Sequence, residues 1–427
     1  MHKMKDSDVA WLESIPETWN LLQLGSLFSE HKHKNVGMQS SNLLSLSYGK
    51  IIQKNINATD GLLPESFEGY NVIDAGDIVL RLTDLQNDQR SLRVGLCGES
   101  GIITSAYTTL RRRNDALNSK YFYYLLHSYD IRKGFYGMGA GVRQGLNYAG
   151  VRKIMLTVPP ESEQTAIAEC LDRKTSQVDA LIANVQEQIE KLKTYKQSLI
   201  TEVVTKGLDP NAPMKDSGVE WIGEMPAAWD ISRVGLHYTV ILGKMLCPKQ
   251  LDDSYTLEKY YCAADVHFGE VNSDDLKEMW FSPAEKEQYH VNVGDMLIVE
   301  GGAGAGGCAV VQQTTNALVQ NSVMIVRNLR GTDNRYLRYW IESLVGRGYI
   351  GVVCNKATIP HFTKEKLSKT VFPVSSQGEQ VQISDYLDEK CAQIDRVTAI
   401  KQAKIEKLEQ YKRSLIYEYV TGKKEVS

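Results

Sequence analysis

A chain of 427 residues with 42% hydrophobic and 24% charged residues has room for two or three domains, each with a core of its own. It carries no apolar run long enough to span a membrane and no secretory-type apolar segment at its start, so a cytoplasmic protein with no membrane partner is expected. A net charge of −3 gives no general pull toward nucleic acid, and seven scattered cysteines without a C-x-x-C pair argue against structural zinc and a disulfide framework.

Taken in order, the chain says the same thing twice. Met4-Lys5-Asp6-Ser7, with Val9, Trp11, Pro16 and Trp19, returns without a gap as Met214-Lys215-Asp216-Ser217, with Val219, Trp221, Pro226 and Trp229. Ala75-Gly76-Asp77 reads as a turn entering a buried strand, Ile78-Val79-Leu80, matched by Val293-Gly294-Asp295 and the strand after it. A dense basic cluster, Arg111-Arg112-Arg113, precedes a predicted helix over residues 118–128, whose counterpart covers 334–343. A second basic stretch holds Arg327, Arg330, Arg335, Arg338, Arg347 and Lys356, with Asp333 and Glu342 the only acids inside it. Such clusters suit phosphate binding and equally suit an ordinary solvated face.

Pro159-Pro160 ends the first globular segment, and Glu161-Ser162-Glu163-Gln164 opens a helix with acids in its first turn. From there to Thr205 no proline or glycine intervenes, and Val178, Ile182, Val185, Ile189, Leu192, Lys196, Leu199 and Val203 form a heptad stripe. Residues 163–205 return as 379–421 with about half of the positions identical; the second stripe is broken by Thr398, Lys401 and Lys412. The fold class expected is α+β: two globular α/β-type domains separated by two long helices that form an intramolecular antiparallel coiled coil, with pseudo-two-fold repetition. The boundaries read as 1–158 (first domain), 159–207 (first helical spacer), 208–373 (second domain) and 374–427 (second spacer). The two globular segments share an order of elements while their side chains differ, which fits two specificities on one scaffold as well as drift after duplication.

No catalytic signature is present. The histidines are isolated, no G-x-x-x-x-G-K-[ST] loop occurs, and the Asn-or-Asp-Pro-Pro-aromatic motif of an amino-methyltransferase is missing. Gly302-Ala303-Gly304-Ala305-Gly306-Gly307 satisfies G-x-G-x-x-G, yet the residues after it read as a strand where a dinucleotide site needs a helix. No cofactor and no metal are expected.

The segments Trp11…Ile15-Pro16…Trp19, Pro159-Pro160-Glu161…Glu163-Gln164…Ile167…Leu171-Asp172 and Tyr195-Lys196…Ser198-Leu199-Ile200…Val204-Thr205-Lys206-Gly207 resemble the specificity subunit of type I restriction-modification systems. So do their second copies, although Phe372-Pro373-Val374 replaces the double proline. The resemblance spans the whole chain. It implies a non-catalytic subunit in which each target-recognition domain reads one half of a split, asymmetric site in double-stranded DNA. It further implies that the helices set the unread spacer and dock two adenine methyltransferase subunits, and through them the restriction and translocase subunits.

Base edges are read by Arg, Lys, Asn and Gln, and phosphates by Lys, Arg and backbone amides. The candidates are Arg81, Arg90, Arg93, Arg111, Arg143, Gln144 and Asn147 in the first domain. In the second they are Lys244, Arg327, Lys356, Thr358 and His361. The glycine-rich 139–147 segment is favoured because small residues let a loop approach a phosphate backbone. The competing reading is a coiled-coil scaffold without DNA sequence specificity.

Overall fold

The computed structural model describes residues 3–57, 64, 66–85, 92–136, 138, 145–329, 331–354 and 360–426. It divides into two compact units, residues 1–186 with 402–427, and residues 187–401. The division therefore falls inside both long helices, and each unit owns one globular domain with a stretch of each helix.

In the first unit the central sheet is antiparallel and contains β1 (Phe28–Glu30), β2 (Ile78–Leu80), β3 (Val94–Leu96) and β4 (Thr108–Arg112), in the order β1-β4-β2-β3. Leu110 stands opposite both Glu30 and Ile78, and Val79 opposite Gly95. Helix α1 (Ser119–Ile131) packs on this sheet and starts where Asn118 accepts hydrogen bonds from the amides of Lys120 and Tyr121, an N-cap that satisfies two orphan donors. Helix α2 (Glu161–Lys206) follows the strand Met155–Val158, which pairs with Asn20–Gln23.

The second unit repeats this frame. Its sheet holds β5 (Tyr238–Leu242), β6 (Met296–Val299), β7 (Cys308–Val310) and β8 (Val323–Asn328), in the order β5-β8-β6-β7. Asp333 caps α3 (Asn334–Gly346) as Asn118 caps α1. Helix α4 (Gln377–Val420) follows the strand Val371–Val374, paired with Asp230–Arg233. The units differ outside the frame. The second adds a three-stranded sheet, Lys277–Phe281, Thr256–Tyr261 and Leu318–Val319, the last pair parallel. The first carries two separate antiparallel pairs, Leu44–Ser47 with Lys50–Gln53 and Asn71–Ile73 with Gly101–Ile103.

The long helices pack antiparallel, the direction expected when a globular segment must fit between the end of one and the start of the other. In the second unit Lys196 pairs with Asp395 at 2.7 Å, and Lys401 donates to Gln188 at 2.6 Å, so one chain position falls as the other rises. In the first unit Lys412 pairs with Asp179 at 2.6 Å. The lysines that break the apolar stripe thus find acceptors on the opposite helix. Val178, Val185, Ile189, Leu199 and Val203 are buried along α2, and Ile394, Ile405 and Leu415 along α4. A polar residue in such a seam lowers stability but fixes register.

Each domain core closes over the end of a helix. In the first unit Leu415, Ile416, Tyr419 and Val420 join Trp19, Tyr121, Leu156, Ile167 and Leu171 in one apolar cluster. In the second, Leu199, Ile200, Val203 and Val204 join Trp229, Tyr336, Phe372, Ile383 and Leu387. Tyr121 donates its hydroxyl to the carbonyl of Val420 at 3.0 Å, and Tyr336 does the same to Val204 at 3.1 Å.

Candidate nucleic-acid interface

The repeated Gly-Asp turns turn out to be arginine receptors. Arg111 on β4 donates Nε to Asp77 Oδ1 (2.9 Å) and Nη2 to Asp77 Oδ2 (2.6 Å) and Asp74 Oδ2 (2.7 Å). Arg327 on β8 donates Nε to both oxygens of Asp295 (3.2 and 3.0 Å) and Nη2 to the His290 carbonyl. Asp77 and Asp295 also accept from the amides of Asp74 and Asn292, so each pair fastens the turn before β2 or β6 to its neighbouring strand. The hydrogen bond to Asp77 raises the Arg111 pKa. The signal that could have found these acids was the repeat of Gly76-Asp77 in Gly294-Asp295.

Two further arginines of the basic stretch in the second domain are paired internally in the same way. Arg335 contacts Asp333, Asp385 and Asp388 within 3.0 Å, and Arg338 contacts Glu342 at 2.6 Å. Arg347 lies over the rings of Trp221 and Trp340. In the first domain Arg112 pairs with Asp115.

Arg93 and Lys244 are interior residues. The side chain of Arg93 sits at 0% exposure and reaches the carbonyls of Arg81, Thr83 and Asp84 and the hydroxyl of Tyr136. Lys244 donates to Glu285 at 2.5 Å and to the Trp280 carbonyl at 2.9 Å, beside the rings of Tyr255 and Phe281. Buried cations keep their charge only when their donors are satisfied, and here the protein supplies the acceptors.

Arg81 is half-buried at the exit of β2, and its amide donates to the Arg93 carbonyl at 2.9 Å. Asn147 is exposed and accepts from the Gly150 amide, which starts the short helix Tyr148–Val151. The Leu146 amide donates to the Leu82 carbonyl at 2.8 Å, so the structure brings the regions of Arg81, Arg93 and Asn147 together. Arg90, Arg143, Gln144, Lys356 and Thr358 lie outside the described residues, as does most of the glycine-rich 139–147 segment.

His361 is exposed, and its backbone bridges to Gly301. This joins the glycine-rich 301–307 turn to the segment that enters the helix Lys364–Lys369. Gly306 has φ +84, and a Cβ there would stand 2.6 Å from Val345 Cγ2, so only glycine fits. The turn runs into β7 and not into a helix, which removes the helix N-terminus that a dinucleotide pyrophosphate needs. Among the described residues no group of three or more His, Cys, Asp or Glu is placed to hold a metal ion. Among the same residues no helix is long and apolar enough to cross a membrane.

The class is a duplicated two-domain protein with paired long helices, and the same fold occurs in a chain from a structural study of complex assembly and conformational transition in a type I R-M system. That chain superposes with a TM-score of 0.71 at 16% identity, covering 96% of this chain and 99% of the other. The HsdS subunit from Thermoanaerobacter tengcongensis follows with a TM-score of 0.51 at 16% identity, covering 96% and 98%. Residues 16–191 match the type I restriction modification DNA specificity domain. The type I restriction enzyme MjaVIII specificity subunit of Methanocaldococcus jannaschii is 21% identical across 96% of this chain and 93% of its own length. The putative MjaX specificity subunit of the same organism is 23% identical across 96% and 94%. Along nearly its whole length the chain is thus similar to type I restriction enzyme specificity subunits, and residues 16–191 match the DNA specificity domain of that family.

Proposed function

We propose that this chain reads a bipartite, asymmetric DNA site, one half with each domain, and docks two methyltransferase subunits and, through the complex, restriction subunits. It has no catalysis of its own in this reading and works in the reducing cytoplasm. The observation that carries it is the pairing of equal frames with unequal connections. Strands β2 and β3 pair in the same register as β6 and β7, with Ile78 opposite Leu96 and Met296 opposite Val310. Yet residues 81–93 join the first pair and residues 300–307 the second, with different lengths and sequences. A shared frame holds position while different surfaces read different bases.

The test is selection from a duplex library randomised over both half-sites and the spacer, using the full chain in complex with its methyltransferase subunit. Two different blocks of preferred bases separated by unread positions are expected. Absence of any preferred motif would favour the scaffold reading.

A further inference from the structure

Four consecutive carbonyls in the first domain are capped from two directions. The guanidinium of Arg93 donates to Arg81 O (3.1 Å), Thr83 O (2.7 Å) and Asp84 O (3.2 Å), while the Leu146 amide donates to Leu82 O (2.8 Å). Leu82 and Leu85 anchor the same stretch at 1% and 0% exposure, and Asp84 holds a positive φ of 54°. Arg93 is itself fixed on its other side. Its amide donates to Asp130 Oδ2 at 2.6 Å and its Nε to Tyr136 Oη at 3.0 Å, with the cation 5.1 Å from the centre of that ring. The planar fork therefore ties the exit of β2 to the turn after α1, the Arg93 amide adds the end of α1, and the Leu82 carbonyl between the clamped ones joins the segment at Leu146–Asn147.

We propose that Arg93 is a positioning residue for half-site selection by the first domain. It holds the Arg81–Asp84 backbone so that this segment and Asn147 are presented together, and it makes no DNA contact. The inference rests on the reading of the chain as a bipartite DNA reader. Arginine suits the role because its five donors lie in one plane, whereas a lysine is a point charge that cannot span three carbonyls in the same fork.

The clamp is private to one domain. Arg81 N donates to Arg93 O just as Val299 N donates to Gly307 O, so Gly307 occupies the position of Arg93 in the second unit. With no side chain there, residues 300–306 are held by backbone bonds, Gly306 N to Val299 O, Gly307 N to Gly304 O and Phe362 N to Glu300 O. Loosening Arg93 therefore disturbs one half-site and leaves the other.

The experiment is the duplex-library selection with the full complex carrying R93K, Y136F or W19F. R93K should lower base discrimination at one half-site by at least about tenfold, the scale of one misread base, with the other half-site unchanged. Y136F keeps the three carbonyl bonds and removes one anchor, so it should shift the same half-site by less. W19F destabilises the same unit away from the clamp and should keep the wild-type motif. If R93K fails to fold, Y136F carries the test. The inference is overturned if the folded clamp variants select the wild-type motif, or if W19F relaxes the same half-site equally, which would make the effect one of stability alone. A wild-type complex that selects no motif removes the DNA reading itself, a result distinct from either.

Discussion

Trp19 donates its indole N–H to the Glu163 carboxylate across 3.0 Å, joining the fully buried entry of the first domain to the first turn of α2. Trp229 repeats this with Glu379 at 2.9 Å on α4. A glycine at the end of the opposite helix lies against each indole. Gly422, at φ +71, would place a Cβ 3.2 Å from Trp19 and 2.3 Å from Pro16, and Gly207, at φ +74, would place one 3.1 Å from Trp229. Each tryptophan is thus a junction between a domain and both of its helix ends.

Trp19→Phe should destabilise the first unit by at least about 1.5 kcal/mol, since a hydrogen bond to a charged acceptor is lost as well as ring area. Glu163→Gln should cost less, because the amide oxygen still accepts. Denaturant unfolding of both variants and of the double variant reads this as a coupling energy. Strictly additive effects would show that the bond contributes nothing.

His127 provides a pH test. It is buried on α1, stacked on Tyr123, with Nδ1 lacking a hydrogen-bond partner among the described residues. Burial holds its pKa down to about 4, with Lys412 and Arg413 adding repulsion. An unfolded histidine takes up its proton near pH 6.5, well before the folded one does. Stability is therefore full above about pH 6.5 and falls as pH drops toward about 4, by up to about 3 kcal/mol. His127→Phe should flatten this part of the stability curve of the first unit, and equal slopes for the variant and the parent would reject the assignment.

Affinity for the specific duplex should fall steeply with added salt, because phosphate contacts release counterions. Arg111, Arg112, Arg327, Arg335 and Arg338 are paired with acids of the protein, so we expect the slope to come from other cations, Arg90, Arg143 and Lys356 among the candidates. Replacing Arg143 should weaken one half-site only; loss of both together would assign it to the fold.

Residues 1–207 alone should pair with a second copy of themselves and, with methyltransferase, recognise a palindrome built from the first half-site. The hydroxyl of Tyr121 needs a carbonyl from a helix end, and Val204 of the second copy can stand where Val420 stands, as it already does for Tyr336. A half that remains monomeric with methyltransferase present, or that modifies the original asymmetric site, is the contrary result.

Seven residues added to each long helix, between Ile189 and Leu192 and between Ile405 and Leu408, keep the apolar stripe in phase and lengthen each helix by roughly 10 Å. The half-sites should keep their sequences while the unread spacer grows by up to about three base pairs, at roughly 3.4 Å per pair. An active variant that prefers the original spacer would show that the helices do not measure DNA.

Local rules made much of this fold readable. The segments 118–128 and 334–343 read as helices, the Gly-Asp turns announced β2 and β6, and the heptads announced a helix pair, whose lysines meet Asp179 and Asp395. What stayed hidden depends on partners distant in sequence. Arg93 reads as a DNA-contacting cation until Tyr136 and the Thr83 carbonyl fold around it, and Arg335 reads as part of a phosphate-binding stretch until Asp385 and Asp388 arrive from the next helix. Nothing local shows that Tyr121 is completed by Val420.

That last bond bears on how the protein is made. The second unit is one uninterrupted stretch, residues 187–401, whereas the first needs residues 402–427. At roughly 5–20 residues per second, the ribosome delivers that closing segment roughly 10–40 s after Gln186 has been added. The domain synthesised first is therefore finished last, and until then the seat that receives Leu415, Ile416 and Val420 is an open apolar surface on a nascent chain. Chaperone capture during synthesis should concentrate on the amino-terminal domain, reversing the usual vectorial order of folding.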